Sequence, residues 1–526
     1  MPRGLLEAVR AYESALMQND LAILDAFFAP GADTLRGDAA GVLVGHEAIA
    51  LFRAGRGGTP RREIVQTHLR VIDDDHAVVV TVGAPERGGR GQQTQLWRRA
   101  ATGWVIDVAH VSAPPPAVDA SIWRLVGTPL VGGASSGPLA RRRVAVKDLF
   151  EIDGIALGGG VPAHLAESAP ATRTAPAVQS LIDAGADVTG VARTDEFAYS
   201  IAGRNPHYGS PPNPAVVGGI PGGSSSGPAS AVATGQADIG LGTDTGGSVR
   251  VPASYQGLWG LRTTHGAVDR GGMLALAPSF DTVGWLTRDA ATLHAAAAAS
   301  LGDSGLTSPD DVGPGHAGAG YLGAGQVAAA TPAGFVVCDS VVALADDGVR
   351  AAFDATVGGL PGLGSIDLPG GFADVAFEAF RTVQAREAWA THGAWITAHP
   401  GALGDDIAAR FAWASTVTAD DERAAGERVA ELRRELEGAL AGRTLLLPSA
   451  SSAAPQVTAT AEQNERTRAG TLRLTCLAGI LGAPALSVPL LQTGDGPVGL
   501  CLVGPRGSDL ALIGAGRALA ESTALR

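Results

Sequence analysis

Lysine is all but absent from this chain: 38 of its 39 basic residues are arginine, and Lys147 is the only lysine among 526 residues. A guanidinium keeps its proton at physiological pH, whereas a desolvated ammonium can lose it and act as a base. A lone lysine on that background marks a chemical position. Cysteine is nearly as scarce. Cys338, Cys476 and Cys501 stand far apart in apolar segments without C-x-x-C or Cys/His spacing, so buried thiols are expected and no metal centre. No apolar run is long enough to cross a bilayer, and Met1-Pro2-Arg3 leads into a charged amphipathic pattern where a signal peptide would be apolar. The expectation is a cytoplasmic protein without a membrane partner. An excess of positive charge is missing too: a net charge of −13 leaves no basic face for nucleic acid.

What is present is a long chain with 45% hydrophobic residues, enough for a large core domain and at least one further module. Apolar residues recur at helical spacing over Leu5–Met17, Leu21–Phe28 and His46–Ala54. Strand-like runs follow at Ile64–Ile72, His76–Val82, Gln92–Arg98 and Trp104–Val111. Helices followed by an antiparallel meander predict a small α+β domain over residues 1–112. His68, His76 and His110 lie on its strands and receive no role. Pro114-Pro115-Pro116 opens a linker, 113–138, that closes on Gly132–Gly137. The second domain, 139–526, begins with a buried strand, Arg143–Val146, that delivers Lys147 to its C-terminal end. It continues with a helix at Pro176–Ala184 and a strand at Val188–Ala192, the alternation of a mixed sheet wrapped by helices. Ala290–Ser300 reads as a helix followed by long loops to Gly334. Phe377–Trp413 reads as two helices carrying Trp389, His392, Trp395 and Trp413, mainly core with some pocket lining. Ala419–Ala441 is a charged amphipathic helix.

The stretch from Pro221 to Arg250 organises the second domain. Ser224 and Ser248 lie towards its ends, with a small-residue helix over Ser225–Gly235 and a buried strand over Asp238–Thr243 between them. A helix of about eleven residues travels roughly 16 Å and a six-residue strand returns about 20 Å, so the two serines can meet. Gly246 and Gly247 let successive N–H groups face one concavity, which suits an anion or a developing oxyanion. With Lys147 these are the parts for acyl transfer: Ser248 as nucleophile and Ser224 as a relay to the lysine base. Only His265 stands near, after the next element. A G-x-S-x-G elbow centred on Ser225 is the competing motif, but Ile220-Pro221-Gly222 is a turn where an elbow needs a strand.

The segments VAVKDLF, PGGSSSG and GLGTDTGGSVRVPASYQGLWGLR resemble the amidase signature family, a likeness covering about Leu139–Arg526. It implies a Ser-cisSer-Lys triad of Ser248, Ser224 and Lys147 with a cis Gly223–Ser224 peptide. It also implies an oxyanion hole from the N–H groups of Thr245, Gly246 and Gly247, loop support from Ser225, and an internal Asp244–Arg250 pair. The implied activity is hydrolysis of a small amide through an acyl-enzyme, with no cofactor and no metal. AYSIAGRNPHYGSPPNP, the triple serine, EAWATHGAWI and VGPRGSD look most like indole-3-acetamide hydrolases, which places aryl acetamides first among substrates. The segments YESALMQND, GHEAIALFRAGR and QQTQLWRR with GWVIDVAHVS resemble the SnoaL-like, nuclear-transport-factor-like cone fold of small proteins associated with cyanuric-acid breakdown. That likeness implies a homodimer through the first domain and keeps carboxylated urea derivatives as a second substrate class, for which Arg204 or Arg262 would supply the cation. A non-catalytic amidase-like scaffold is the alternative of another kind; the presence of both Lys147 and Ser248 speaks against it.

Overall fold

The computed structural model of the protein describes residues 2–38, 41–55, 58–59, 61–85, 91–112, 118–301 and 334–524. The chain divides into two compact units, Met1–Val118 and Asp119–Arg526.

In the first unit, helices Leu5–Gln18, Leu21–Ala26 and His46–Ala54 accompany strands β1 (Leu35–Asp38), β2 (Gly41–Val44), β3 (Arg62–Val71), β4 (His76–Pro85), β5 (Gly91–Ala100) and β6 (Gly103–Ser112). These six form one sheet in the order β2-β1-β6-β5-β4-β3. The meander β3 to β6 is antiparallel, as the alternating sequence requires, and β1 joins β6 in parallel. Leu5, Val9, Tyr12, Ala77, Val79, Trp97 and Ile106 make its core.

The second unit contains an eleven-stranded sheet of β7 (Trp123–Val131), β8 (Arg143–Lys147), β9 (Asp187–Ala192), β10 (Ile239–Asp244), β11 (Trp259–Arg262), β12 (Thr282–Thr287), β13 (Phe335–Val337), β14 (Gly364–Ser365), β15 (Thr444–Pro448), β16 (Ala485–Thr493) and β17 (Gly496–Val503). Their order is β14-β13-β15-β17-β16-β11-β12-β10-β8-β9-β7. It is mixed: β8 runs parallel to β9 and β10, while β10 is antiparallel to β12. Every residue of β10 and β12 is buried, the pattern of strands covered on both faces.

Two expectations change here. Residues 123–131, read as linker, are strand β7, paired antiparallel with β9 at the sheet's edge. The Gly- and Pro-rich composition that signalled a linker is tolerated there because an edge strand can accept a proline. The second unit accordingly starts at Asp119 rather than Leu139. The loops expected after Ser300 fall at residues 302–333, outside the described residues, whereas the preceding helix runs Ala290–Leu301.

Glycines seat the central helix. Ser226–Ala233 is helical, with Pro228 in its first turn and Gly235 just beyond its end at φ 74°. It lies so close to β10 that a Cβ on Gly240 would stand 2.8 Å from Pro228 O, and one on Gly242 2.6 Å from Ser225 Oγ. Glycine at these positions brings the serine run onto the strand that ends in the 244–248 turn.

Candidate active site

Strand β8 carries Lys147 into a fully buried position. Its Nζ lies 2.8 Å from Ser224 Oγ and 2.7 Å from Thr243 Oγ1. Burial strips water from the ammonium and pulls its pKa down to about 7, while the carboxylates of Asp195, Asp244 and Asp281 pull the other way. A large share of this lysine is therefore a neutral amine at neutral pH, with a lone pair beside a serine hydroxyl.

Ser224 is held from its backbone. The Gly223–Ser224 peptide is cis, as the resemblance implies. The Ser224 carbonyl accepts from Thr194 Oγ1 at 2.9 Å and from Asp195 N at 3.4 Å, and Gly223 N donates to Ile201 O at 2.8 Å. A Cβ on Gly223 would stand 2.4 Å from Asp195 Oδ2, so the position requires glycine. Asp195 is buried, accepts from Gly203 N and Ser226 Oγ, and has its pKa raised to about 6 by desolvation.

The other end of the stretch returns as the chain lengths require. Ser225 N donates to Ser248 O at 3.2 Å, and Ser225 Oγ donates to Thr243 O at 3.2 Å while accepting from Thr243 N. Ser225 thus bridges the serine run, β10 and the turn holding Ser248, which is itself 3% exposed.

The turn is shaped by one carboxylate. Asp244 accepts from the N–H groups of Gly247, Val249 and Arg250 and from the Arg250 and Arg262 guanidinium groups, all fully buried. Although burial works against the charge, the two guanidinium groups hold its pKa well below the usual carboxylate range. Carbonyl oxygens on the turn are also taken: Asp244 O by Arg262 and by Thr282 Oγ1, Thr245 O by Arg262 Nη1 at 3.2 Å, and Gly246 O by Thr475 Oγ1 at 2.6 Å. In a trans peptide the N–H points opposite to the C=O. Fixing the carbonyls of Asp244 and Thr245 therefore aims the N–H groups of Thr245 and Gly246 the other way, and among the described residues no protein acceptor takes either. Gly247 differs from the three-donor expectation, because its N–H is donated to Asp244 Oδ1 at 2.8 Å.

Several supports escaped the sequence reading. Thr243 is the second hydroxyl at Lys147; Asp281 accepts from Thr245 Oγ1 at 2.6 Å and from Leu276 and Ala277 N–H; Thr475 holds Gly246. Thr475 sits on a helix, Ala461–Leu481, that went unread although Thr460 and Gln463 form a capping box at its start. His265 is no part of the constellation: its Nε2 contacts Pro278 O, and burial lowers its pKa to about 3. Of the two proposed substrate cations, Arg262 is fully buried, with its Nη1 and Nη2 donating to Asp244, Thr245 and Phe280, whereas Arg204 is exposed. The aromatic residues pack on one another, with Phe197 stacked on His392 at 4.3 Å and edge-on to Trp395 at 5.5 Å, while Trp413 is 39% exposed. All three cysteines are free and buried.

The first unit has its own cleft, lined in part by Tyr12, Arg36, Phe52, Arg53, Arg62 and Gln93. Arg36 is paired with Asp38 at 2.7 Å and Arg62 with Glu13 at 2.8 Å. His68, His76 and His110 are not among its lining residues.

A mixed sheet presenting a buried lysine to a cis-linked serine, beside a turn of outward-facing N–H groups, defines an amidase-type site. The chain belongs to the amidase signature family: residues 130–365 match the Amidase family model, and residues 3–116 match the AtzH-like model. It is 34% identical to Amidase 1 of Arabidopsis thaliana over 420 residues, 74% of this chain and 95% of that protein. To Amidase 1 of Oryza sativa it is 34% identical over 395 residues, 72% of this chain and 89% of the relative. A 178-residue segment, 34% of this chain and 37% of the relative, is 42% identical to the AtzE component of the 1-carboxybiuret hydrolase of Pseudomonas sp.. Among solved structures, an amidase at 29% identity superposes with a TM-score of 0.62, covering 73% of this chain and 85% of the other. A chain from a vestigial protein complex bearing on the origins of an s-triazine catabolic enzyme, at 27% identity, superposes with a TM-score of 0.64 over 74% of this chain and 85% of its own.

Proposed function

We propose that the protein hydrolyses a small primary amide to acid and ammonia through an acyl-enzyme on Ser248. Ser248 Oγ attacks the amide carbon as its proton passes to Ser224 and the Ser224 proton passes to Lys147 Nζ. The oxygen of the tetrahedral intermediate takes hydrogen bonds from the N–H groups of Thr245 and Gly246. Collapse expels ammonia, protonated by Lys147 through Ser224; water then attacks the ester, its proton follows the same path, and the acid leaves. Gly247, Asp244, Arg250 and Ser225 hold the turn. The observation that carries this reading is the buried Lys147 amine, its pKa near 7, 2.8 Å from Ser224 Oγ. Ammonia release measured in Ser248→Ala, alongside mass spectrometry for a Ser248 ester in the parent enzyme, tests it. Retention of rate in the variant would end it.

Aryl acetamides, first in the sequence-based ordering, draw support from motif likeness alone, since the aromatic side chains near the site are packed against each other. For assembly, the reading is a homodimer through the first unit, whose sheet exposes Val42, Val44, Val65 and Val71. Val71→Asp with Val65→Asp should then shift the sedimentation coefficient to that of a monomer; an unchanged dimer would discard it.

A further inference from the structure

Asp195 is a fully buried acid beside the triad to which the mechanism gives no task. It follows β9 by three residues, and β9 sets Ala192 opposite Lys147 in parallel register with β8. Ser224 is shared between the two: its hydroxyl meets Lys147 Nζ at 2.8 Å, and its carbonyl takes the Asp195 N–H at 3.4 Å. The carboxylate lies against Gly223, where an added Cβ would stand 2.4 Å from Oδ2 and 3.0 Å from Cγ.

The surroundings are built for an anion. Oδ2 accepts from Gly203 N at 3.0 Å and Oδ1 from Ser226 Oγ at 3.4 Å. Gly203 turns at φ 74°, where a Cβ would stand 2.4 Å from Gly222 O. Just past Asp195, Phe197 and Ala198 hold φ values of 45° and 59°, left-handed backbone that non-glycine residues adopt only at a cost. The triple serine gains a reading from this: Ser224 Oγ meets Lys147, Ser225 Oγ donates to Thr243 O, and Ser226 Oγ donates to Asp195. Asp244 is answered by Arg250 and Arg262, but no arginine, lysine or histidine among the described residues forms an ion pair with Asp195. A buried carboxylate without an ion pair is costly to keep. Its charge bears on Lys147: burial drives the proton off the lysine, and of the carboxylates that oppose this Asp195 acts most strongly, ahead of Asp244 and Asp281. The cations felt at Asp195 in turn are Lys147 and, more weakly, Arg410.

We propose that Asp195 is a positioning residue that stabilises the ammonium form of Lys147, the form the lysine takes when it accepts the proton passed from Ser248 through Ser224, and that Ser226 holds the carboxylate in place for this. The proposal rests on the reading of Lys147, Ser224 and Ser248 above. Asp195 itself neither gains nor loses a proton in the cycle. It acts on the lysine as the acid of a Ser-His-Asp triad acts on the imidazolium, by a fixed negative charge.

Asp195→Asn removes the charge while keeping an acceptor for Gly203 N and a partner for Ser226 Oγ. Because Lys147 is the sole lysine, the full-length protein grown on lysine carrying 13C at Cε has one labelled side chain, and its chemical shift against pH reads the lysine's proton affinity without any turnover. The expected midpoint is near 7 in the parent and at least about one pH unit lower in Asp195→Asn, because the ammonium has lost its strongest opposing charge. The inflection of kcat/KM should move down with it, and kcat on the plateau should fall about tenfold with KM little changed, the amine having become a weaker base. An unmoved midpoint in a variant whose circular dichroism matches the parent overturns the proposal, even if rate is lost, since a merely structural role would cost rate alone. Should Asp195→Asn not fold, Ser226→Ala carries the test: a midpoint lowered by about half a pH unit supports the proposal and an unchanged one overturns it. The two readings fail separately. Retention of rate in Ser248→Ala ends the acyl-enzyme whatever the midpoint does, whereas an unmoved midpoint in an enzyme that does acylate Ser248 removes the role of Asp195 alone.

Discussion

At Lys147 the surroundings matter more than the charge. Burial brings its pKa to about 7, and the proposed role needs the neutral amine, which is present above that value and lost as pH falls through it. The kcat/KM profile should therefore rise between about pH 6 and pH 8 with its inflection near 7, read from initial rates of ammonia release. Lys147→Arg keeps a cation but cannot accept a proton at these pH values, so it should fall as far as Lys147→Ala, by at least about a hundredfold. A substantial residual rate in the arginine variant would reduce Lys147 to electrostatic support. The lysine stood out in the sequence because its alternative, arginine, had been used everywhere else. Thr243 and Thr475 did not, since a threonine acting through one hydroxyl looks like any other threonine until the strands and helices are placed.

At the scale of elements, glycines divide into those that admit close approach and those that do not. Gly223→Ala would drive a methyl group to within 2.4 Å of Asp195 Oδ2 and 2.6 Å of Gly203 N, backbone and carboxylate that have nowhere to go. Overpacking of this kind costs about 1–3 kcal/mol or more, and the variant should show both a lowered Tm and lost activity. Gly426 and Gly438, exposed in the helix Ala419–Leu440, have no atom within 4 Å of an added Cβ. Alanine at either should stabilise by about 0.5–1 kcal/mol in urea titration and leave turnover alone. Elements with strong periodicity or a clear cap were legible in advance, among them the Ser226–Ala233 helix and β8. The short strands β1, β2, β11 and β12 were not, although β8 and β10 are about as short: those two adjoin Lys147 and the serine stretch, whereas no catalytic residue marks the other four. Strand β7 was misread because edge position, which makes its proline acceptable, is a property of the sheet and not of the segment.

For the whole molecule the start of the second unit has a practical meaning. A chain beginning at Asp119 keeps β7 on β9, and β9 carries the register of β8 and so of Lys147. It should fold, keep its rate and, on the dimer reading, sediment as a monomer. A chain beginning at Leu139 bares the β9 edge and should aggregate on expression. Equal solubility of the two would mean that β7 contributes little. The family and the division into two domains were readable from motifs; the boundary was not, because composition reports flexibility and this segment's order comes from pairing.

The solitary lysine, fully buried in the fold, has a consequence for handling the protein as a reagent. Amine-acylating dyes, biotin esters and aldehyde fixatives, which coat most proteins with label, find no accessible side-chain amine on the folded molecule. Intact mass after brief acylation should show one label more in urea than in native buffer, and that added label should map to Lys147. Amine chemistry on the native protein would then be confined to the chain's α-amino group, giving uniform attachment to a surface without an engineered tag.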